Sequence, residues 1–221
     1  MFIIINDAFD DATLSSLRAT LAELEYEPGR RTAGWHAREV KSNRQAKASP
    51  ARRHVERLVL ERLAASSLIA QAALPARFAT PLFSRAGVGE GYGRHVDDAL
   101  IGSPPLRSDL SLTLFLSDPD SYEGGELVIE TDEGESAFKL PAGQILLYPS
   151  GTLHRVETVR AGERLAAVTW IESHVRDAAA RGMLFDLDRA MRSLHAREGR
   201  SEAFDLIAKT RANLLRRWAG A

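Results

Sequence analysis

The stretch Gly91-Tyr92-Gly93-Arg94-His95-Val96-Asp97 carries the strongest signal in the 221-residue chain, because it sets a histidine two positions before an aspartate. On an extended strand, residues i and i+2 point to the same face, so an imidazole and a carboxylate can converge on one ion. His154, far downstream, offers a third ligand. Two histidines and one carboxylate on one side of a metal form a facial triad with open positions opposite. The sequence therefore predicts a metal site at His95, Asp97 and His154.

An arginine ten residues after His154 adds a second signal. Arg164 closes the segment Arg160-Ala161-Gly162-Glu163-Arg164, in which the glycine permits a tight turn. We therefore expect His154 and Arg164 to lie on adjacent strands and to face one cavity. A guanidinium is a planar fork that binds a carboxylate at two points. Fe(II) together with an arginine that holds a dicarboxylate is what a 2-oxoglutarate-dependent oxygenase requires.

Short segments spread over nearly the whole chain support this interpretation when they are taken together. They are TAGW at 32–35, VKSN at 40–43, residues 89–97, LFLSDP at 114–119, YEGGEL at 122–127, LPAG at 140–143, LYPS at 147–150, HRV at 154–156, GER at 162–164 and WI at 170–171. In these segments the chain resembles the PKHD-type hydroxylases, which are bacterial iron/2-oxoglutarate oxygenases related to prolyl and lysyl hydroxylases.

The resemblance implies a mechanism and a set of roles. Fe(II) would be held by His95, Asp97 and His154, and 2-oxoglutarate would bind the metal through its keto and C1-carboxylate oxygens. The far carboxylate of 2-oxoglutarate would reach Arg164, and O2 would take the last open position. The products would be succinate, CO2 and a hydroxylated C–H bond of an amino-acid-like, peptide or protein substrate. The resemblance also implies a requirement for ascorbate and a link to iron acquisition.

The chain departs from the family pattern at one position. Family members usually carry a tyrosine nine residues before the first metal histidine, and its hydroxyl can help to hold the co-substrate carboxylate. Here that position is Ala86. The resemblance then implies that Arg164, or another polar group nearby, does more of the holding.

The composition limits the alternatives. The formal net charge is −1, which favours neither nucleic acid nor a membrane surface as the main partner. Cysteine is absent, which excludes disulfides, iron–sulfur clusters and thiolate zinc sites. The apolar start of the chain lacks the basic lead and cleavage site of a signal peptide, and no apolar run approaches the ~18 residues of a membrane span. We therefore expect a cytoplasmic protein.

The pattern of elements predicts a mostly β protein with added helices. Residues 1–76 should supply an N-terminal strand and supporting helices, one from Asp10 or Asp11 to about residue 25 and one from Pro50 to about residue 73. Residues 77–173 read as short strands at regular spacing, with 77–85 as a single strand, which favours a double-stranded β-helix, or jelly-roll, core. Residues 174–221 should form a C-terminal helical extension, broken at glycines 182 and 199. Its last helix should pack back on the sheet or form a homodimer contact.

Several residues compete with the chosen set. Asp98 should point to the face opposite Asp97, Arg155 should face away from His154, and Arg160 should lie in a turn. The basic loop 29–48, with its lone Trp35, is either a flap over the site or a solvated loop. Two other functions stay open. One is a non-catalytic jelly-roll that senses a metal or small ligand. The other is an oxygenase acting on alkylated nucleic acid, which is disfavoured because only residues 29–54 form a basic stretch and its lone aromatic is Trp35.

Overall fold

Two facing β-sheets form the centre of the protein in a computed structural model, which describes residues 2–6, 8–31, 34 and 37–220. The helices in these residues are α1 (Asp11–Ala22), α2 (Pro50–Ala65), α3 (Ser67–Ala73), α4 (Ala178–Glu198) and α5 (Glu202–Trp218). The strands are β1 (Ile3–Ile5), β2 (Tyr26–Pro28), β3 (Arg44–Ala46), β4 (Pro75–Phe78), β5 (Leu82–Ala86), β6 (Tyr92–His95), β7 (Leu100–Ile101), β8 (Leu106–Arg107), β9 (Leu110–Phe115), β10 (Tyr122–Glu123), β11 (Leu127–Thr131), β12 (Gly134–Phe138), β13 (Ile145–Pro149), β14 (His154–Val156), β15 (Ala161–Gly162) and β16 (Arg164–Ser173).

The larger sheet has eight strands and the smaller has four. The larger runs β1-β13-β9-β16-β5-β3-β2, and β4 pairs with β16 beside the end of β5. The smaller runs β12-β11-β14-β6. Every pairing in both sheets is antiparallel, as a jelly-roll requires. Phe115, Leu146 and Tyr148 of the larger sheet pack against Leu127 and Ile129 of the smaller one and form the sandwich interior.

Strand β16 shows how the sequence pattern builds the layers. Alternate side chains of a strand point to opposite faces. Ala167 and Ile171 belong to the core beneath the helices, whereas Arg164, Val168 and Trp170 line a cavity between the two sheets. Trp170 is therefore a wall of the barrel, as its spacing from Arg164 predicts.

The N-terminal helices cover the outer face of the larger sheet. Leu17 and Leu21 of α1 and Val59 and Leu63 of α2 are buried in the same core as Leu112. The predicted caps are confirmed: the Asp10 side chain accepts from the Thr13 amide at 2.7 Å, and Ser49 caps α2 ahead of Pro50.

Three predicted boundaries were wrong. Helix α1 ends at Ala22, and the second helix is two helices because Ser66 caps α3. The strand expected over 77–85 is divided into β4 and β5, since Pro81 has no amide hydrogen for a ladder.

The C-terminal extension is helical, with one break instead of two. Helix α4 runs through Gly182, where a helical glycine costs about 1 kcal/mol that the packing on either side offsets. Gly199, with φ of 70°, ends it. Helix α5 packs through Leu214, Leu215 and Trp218 onto Leu184 of α4, so it packs back on the protein as predicted, but against a helix and not against the sheet. No helix among the described residues combines the length and apolarity needed to cross a bilayer.

Candidate metal centre

The two predicted histidine ligands lie side by side in the smaller sheet. Strands β6 and β14 are neighbours, and their register pairs His95 with His154. The two imidazole centroids are 4.3 Å apart. Asp97 lies beyond the end of β6, so the expectation that one strand carries both residues was wrong, although both side chains still reach the same point.

The ligand atoms are spaced as one ion requires. Nε2 of His95 is 3.9 Å and Nε2 of His154 is 3.8 Å from Oδ1 of Asp97. Ligand atoms each about 2.1 Å from one ion lie at most ~4.2 Å from each other. The three groups therefore fit a single cation of the transition series, and His95, Asp97 and His154 form the one such cluster in the part of the chain that the structure describes.

Hydrogen bonds outside the cluster hold its ligands in orientation. Nδ1 of His95 lies 2.8 Å from the Gly93 carbonyl oxygen, and Nδ1 of His154 lies 2.9 Å from that of Thr152. Each Nδ1 can then carry the proton and donate it to the carbonyl, which leaves the Nε2 lone pair free for a metal.

The carboxylate of Asp97 is held in a similar way. The Ser111 hydroxyl donates to Asp97 Oδ2 at 2.6 Å and lies 2.8 Å from the Ser150 hydroxyl. Because Ser111 has one proton, it donates to Asp97 and accepts from Ser150. The serine pair fixes one carboxylate oxygen and leaves the other for the ion.

The surroundings of His95 keep it neutral. Burial, followed by the neighbouring His154, lowers the pKa of His95 to about 4. The ring of Tyr92 stacks on His95 with centroids 3.6 Å apart, and Nζ of Lys41 lies 5.0 Å from the Tyr92 ring centre. An unprotonated imidazole is the form that binds a metal, so the burial of His95 beneath the Tyr92 ring favours metal binding.

Arg164 faces the same cavity from the other sheet. His154 lies on β14 of the smaller sheet and Arg164 on β16 of the larger, so the expectation of adjacent strands was wrong and that of a shared cavity is correct. Between the two strands the chain crosses from one sheet to the other through Gly162, whose φ of 71° favours glycine.

The guanidinium of Arg164 is buried without an anion. Arg164 is 4% exposed, and desolvation lowers its pKa. The groups that interact with it are uncharged: Cζ lies 5.6 Å from the Phe115 ring centre, and the Tyr122 hydroxyl acts on the guanidinium. Nε of Arg164 has no hydrogen-bond partner, and no ion pair among the described residues joins Arg164 to a carboxylate. A buried guanidinium of this kind can bind an external carboxylate at two points.

The cavity between the cluster and Arg164 has a volume of about 150 Å³. Leu127, Val156, Val168 and Trp170 give it apolar walls. Sequence reasoning assigned no role to the polar side chains that line it, which are Asn43, Gln45, Ser84, Thr113 and Tyr148. Four of them lie on β3, β5, β9 and β13 of the larger sheet, Asn43 directly precedes β3, and all five are buried.

The residues that competed with the predicted site residues lie in different places relative to the cavity. Arg155 is engaged outside the cavity, with Nη1 2.8 Å from Glu135 and Nε 2.7 Å from Glu157. Asp98 lines the same cavity as Asp97, so the prediction that it faces away was wrong, but it lies outside the cluster of three. Of the basic loop, Gly34 and Lys41 line the cavity, while Trp35 lies outside the described residues.

Comparison with known proteins places this geometry in a family. A model described as the 2OG-Fe(II) oxygenase superfamily matches residues 81–172, and one described as the PKHD-type hydroxylase C-terminal domain matches residues 178–220. A PKHD-type hydroxylase of Synechococcus elongatus is 51% identical over 222 residues, which cover 99% of this chain and 100% of the relative. The chain belongs to the PKHD-type hydroxylases. This PKHD-type hydroxylase is therefore an Fe(II)- and 2-oxoglutarate-dependent enzyme.

Solved structures confirm the fold of this PKHD-type hydroxylase. A prolyl-4-hydroxylase of Pseudomonas putida matches with a TM-score of 0.55 at 19% identity, over 78% of this chain and 92% of that one. HygX of Streptomyces hygroscopicus, with nickel and 2-oxoglutarate bound, matches with a TM-score of 0.55 at 16% identity, over 79% of this chain and 84% of that one. The jelly-roll core with helical flanks agrees with the prediction from the sequence.

Proposed function

We propose that this PKHD-type hydroxylase binds Fe(II) through His95, Asp97 and His154 and the far carboxylate of 2-oxoglutarate through Arg164, and that it hydroxylates a C–H bond of an amino-acid-like unit in a peptide or protein. One observation carries the proposal. A buried guanidinium without an anionic partner shares a small cavity with three convergent metal ligands. The donor set fits the metal, since two imidazoles and one carboxylate suit Fe(II), and the unpaired cation fits a dicarboxylate.

Iron and 2-oxoglutarate supply the oxidation, in which O2, 2-oxoglutarate and a C–H bond become succinate, CO2 and C–OH. The protein supplies orientation. Carbonyl oxygens fix the ring of each histidine, and the serine pair fixes Asp97. Arg164 anchors the co-substrate at the opposite end of the cavity, and the apolar walls exclude water from the reacting groups.

A second concavity supports a chain-like substrate. It has a volume of about 450 Å³ and shares Leu82, Ile101 and Trp170 with the metal cavity. Its remaining lining mixes apolar residues, such as Phe78 and Leu106, with polar ones, such as Arg77 and Thr80. The metal cavity, at about 150 Å³, is below the ~300–1,000 Å³ of pockets that enclose a whole ligand. Beside the co-substrate it has room for little more than one side chain, so the rest of the substrate would lie along the second concavity.

Succinate formation tests the proposal without a known substrate. The protein would be incubated with Fe(II), 2-oxoglutarate and ascorbate under air, beside the variants His95→Ala and Arg164→Met. We expect succinate from the wild type, none from His95→Ala, and a raised 2-oxoglutarate requirement in Arg164→Met. Arg155→Met is the matched control, because it removes an arginine that is ion-paired outside the cavity. Equal succinate from wild type and His95→Ala would contradict the metal assignment.

Other properties remain predictions. The family resemblance predicts ascorbate dependence and a link to iron acquisition. The sequence predicts a cytoplasmic protein without a nucleic-acid or membrane partner, and a homodimer is compatible with its C-terminal helix. Omitting ascorbate from the succinate assay and measuring the mass in solution test two of these directly.

A further inference from the structure

A hairpin is inserted in the chain between the metal ligand Asp97 and Ser111, the serine that holds the carboxylate of this ligand. The hairpin consists of β7, β8 and the turn between them, and residues of both strands line the second concavity. Its base is closed where the Ser108 amide donates to the Ala99 carbonyl at 3.0 Å. Both ends of the β7–β8 hairpin therefore lead directly to the metal centre.

The carboxylate of Asp109 fixes the end of the hairpin that leads into β9. Nε and Nη2 of Arg107 donate to its two oxygens at 2.8 and 2.9 Å, which is the bidentate geometry of a strong charge-assisted pair. The Ser173 amide, at the end of β16, donates to the same carboxylate at 2.8 Å, and the Ser173 carbonyl accepts from Arg107 at 2.9 Å. The Asp109 side chain is 6% exposed, so this ion pair joins the hairpin, β9 and β16 at a site largely removed from water.

The backbone of Asp109 connects this ion pair to the metal ligand. Its amide donates to the Ile171 carbonyl at 3.0 Å, and its carbonyl accepts from the Ser150 amide at 3.3 Å. The Ser150 hydroxyl bonds that of Ser111, which donates to Asp97. Ser111 also lies two residues after Asp109, on the strand whose start the ion pair fixes. The position of Asp109 therefore sets the positions of both serines that orient Asp97.

We propose that Asp109 is a positioning residue of the metal centre, which acts through Ser150 and Ser111 on the carboxylate of Asp97. Its own carboxylate is occupied by Arg107 and Ser173, and it is not a ligand of the metal. The inference rests on the metal site of the proposed function. It extends the groups that orient the ligands from their direct hydrogen-bond partners to an ion pair that also holds the β7–β8 hairpin.

A second buried carboxylate provides a matched control. The Asp188 side chain is 4% exposed and also pairs with arginines, with Nε of Arg192 at 2.6 Å and Nε of Arg211 at 3.2 Å. These three residues belong to α4 and α5, which supply no residue to the described lining of the metal cavity. Asp109→Asn and Asp188→Asn each leave arginines without a buried anion, so both should lower stability in urea unfolding. Only the first should affect the metal.

Binding of Co(II) tests the proposal without a substrate. We expect the Co(II) affinity of Asp109→Asn in a competitive chelator titration to fall about threefold to tenfold, less than the 10- to 100-fold typical of a group bonded to the ligand itself. The visible absorption of bound Co(II) reports the geometry of its ligands. It should change in Asp109→Asn and should match the wild type in Asp188→Asn. Arg107→Lys keeps the charge but loses the bidentate fork, so it provides a milder version of the same test if Asp109→Asn does not fold.

A double-mutant cycle shows whether Asp109 acts through Ser111. In Ser111→Ala the hydrogen bond to Asp97 is already lost, so adding Asp109→Asn should weaken Co(II) binding by less than about twofold further. An undiminished effect of Asp109→Asn in this background would overturn the proposed route.

The remaining outcomes separate the inference from the proposed function. Unchanged Co(II) affinity and absorption in Asp109→Asn overturn the inference and leave the function intact. Equal losses of affinity in Asp109→Asn and Asp188→Asn assign the effect to general destabilisation and also overturn it. Failure of the wild type to bind Co(II) overturns the metal site itself.

Discussion

Replacing Arg164 with methionine should stabilise the ligand-free protein. The guanidinium is 4% exposed, and burial lowers its pKa because no anion compensates the charge. The effective cost of burying one ion is several kcal/mol. Its interaction with the Phe115 ring offsets roughly 0.5–2 kcal/mol of this cost, and the Tyr122 hydroxyl offsets a part of what is left. Methionine is long, flexible and uncharged, so we expect Arg164→Met to gain about 1–3 kcal/mol.

Thermal unfolding of the metal-free protein measures this gain. For a chain of this size 1 kcal/mol corresponds to about 2–4 °C, so the melting temperature should rise by about 2–12 °C. With Mn(II) present, 2-oxoglutarate at 100 times its Kd should stabilise the wild type by about 2.7 kcal/mol and should leave Arg164→Met nearly unchanged. The order of the two melting temperatures should therefore approach equality or reverse when the co-substrate is added.

Two results would refute this reasoning. A ligand-free Arg164→Met that is less stable than the wild type would mean that structural contacts already satisfy the guanidinium. A variant that 2-oxoglutarate stabilises as much as it stabilises the wild type would mean that the carboxylate binds elsewhere. Arg155→Met is the control, because surface ion pairs contribute only about 0–1 kcal/mol and Arg155 pairs with Glu135 without lining the cavity.

Three further predictions follow from the same contacts. Ser111→Ala removes the hydrogen bond to Asp97, so metal affinity should fall about 10- to 100-fold in a competitive chelator titration, and unchanged affinity would contradict that role. Burial lowers the pKa of Lys41 from 10.5 to about 8. Between these two pKa values the unfolded chain carries the proton of Lys41 and the folded chain does not. The free energy of unfolding should therefore rise with pH across this interval by at most about 3 kcal/mol. In urea unfolding, Lys41→Met should make this rise with pH smaller. Gly125→Ala would set a methyl group 3.0 Å from Cδ of Arg164 at a φ of 67°, so it should lower stability by about 1–2 kcal/mol and raise the 2-oxoglutarate requirement; normal values of both would refute the contact.

Local features of the sequence predicted the elements well. The apolar spacing of α1, the caps at Asp10 and Ser49 and the alternation along β16 are set by neighbours a few residues away. The metal ligands could be proposed because His95 and Asp97 are close in sequence and the segments around His154 resemble a known family. In each case the residues that determine the feature are close together in the sequence or belong to a motif that is present in full.

Pairing between distant strands could not be predicted in the same way. The turn at Gly162 indicates a reversal of the chain, but it does not say which sheet the next strand joins, and Arg164 joined the larger one. A proline at position 81 and a serine at position 66 are typical of a strand break and a helix cap. The apolar residues around them nevertheless favoured one continuous strand and one continuous helix.

The polar lining of the cavity had a usable signal. In β9, Ser111 and Thr113 alternate with Leu110, Leu112 and Leu114, and all five are buried. Polar residues at every second position of a buried strand require partners, so they mark a face that meets a ligand or a polar network. Tyr148 carried no comparable signal, because an aromatic residue in a buried strand is common packing.

Anaerobic titration of 2-oxoglutarate into the Fe(II)-loaded protein tests the central claim most directly. Chelation of the keto acid to Fe(II) produces a visible charge-transfer absorbance, which needs neither oxygen nor the substrate. We expect the band in the wild type, its loss in His95→Ala, and saturation only at higher 2-oxoglutarate concentrations in Arg164→Met. A wild-type protein that binds Fe(II) but develops no band at any 2-oxoglutarate concentration would contradict the assignment of this cavity as the iron and 2-oxoglutarate site.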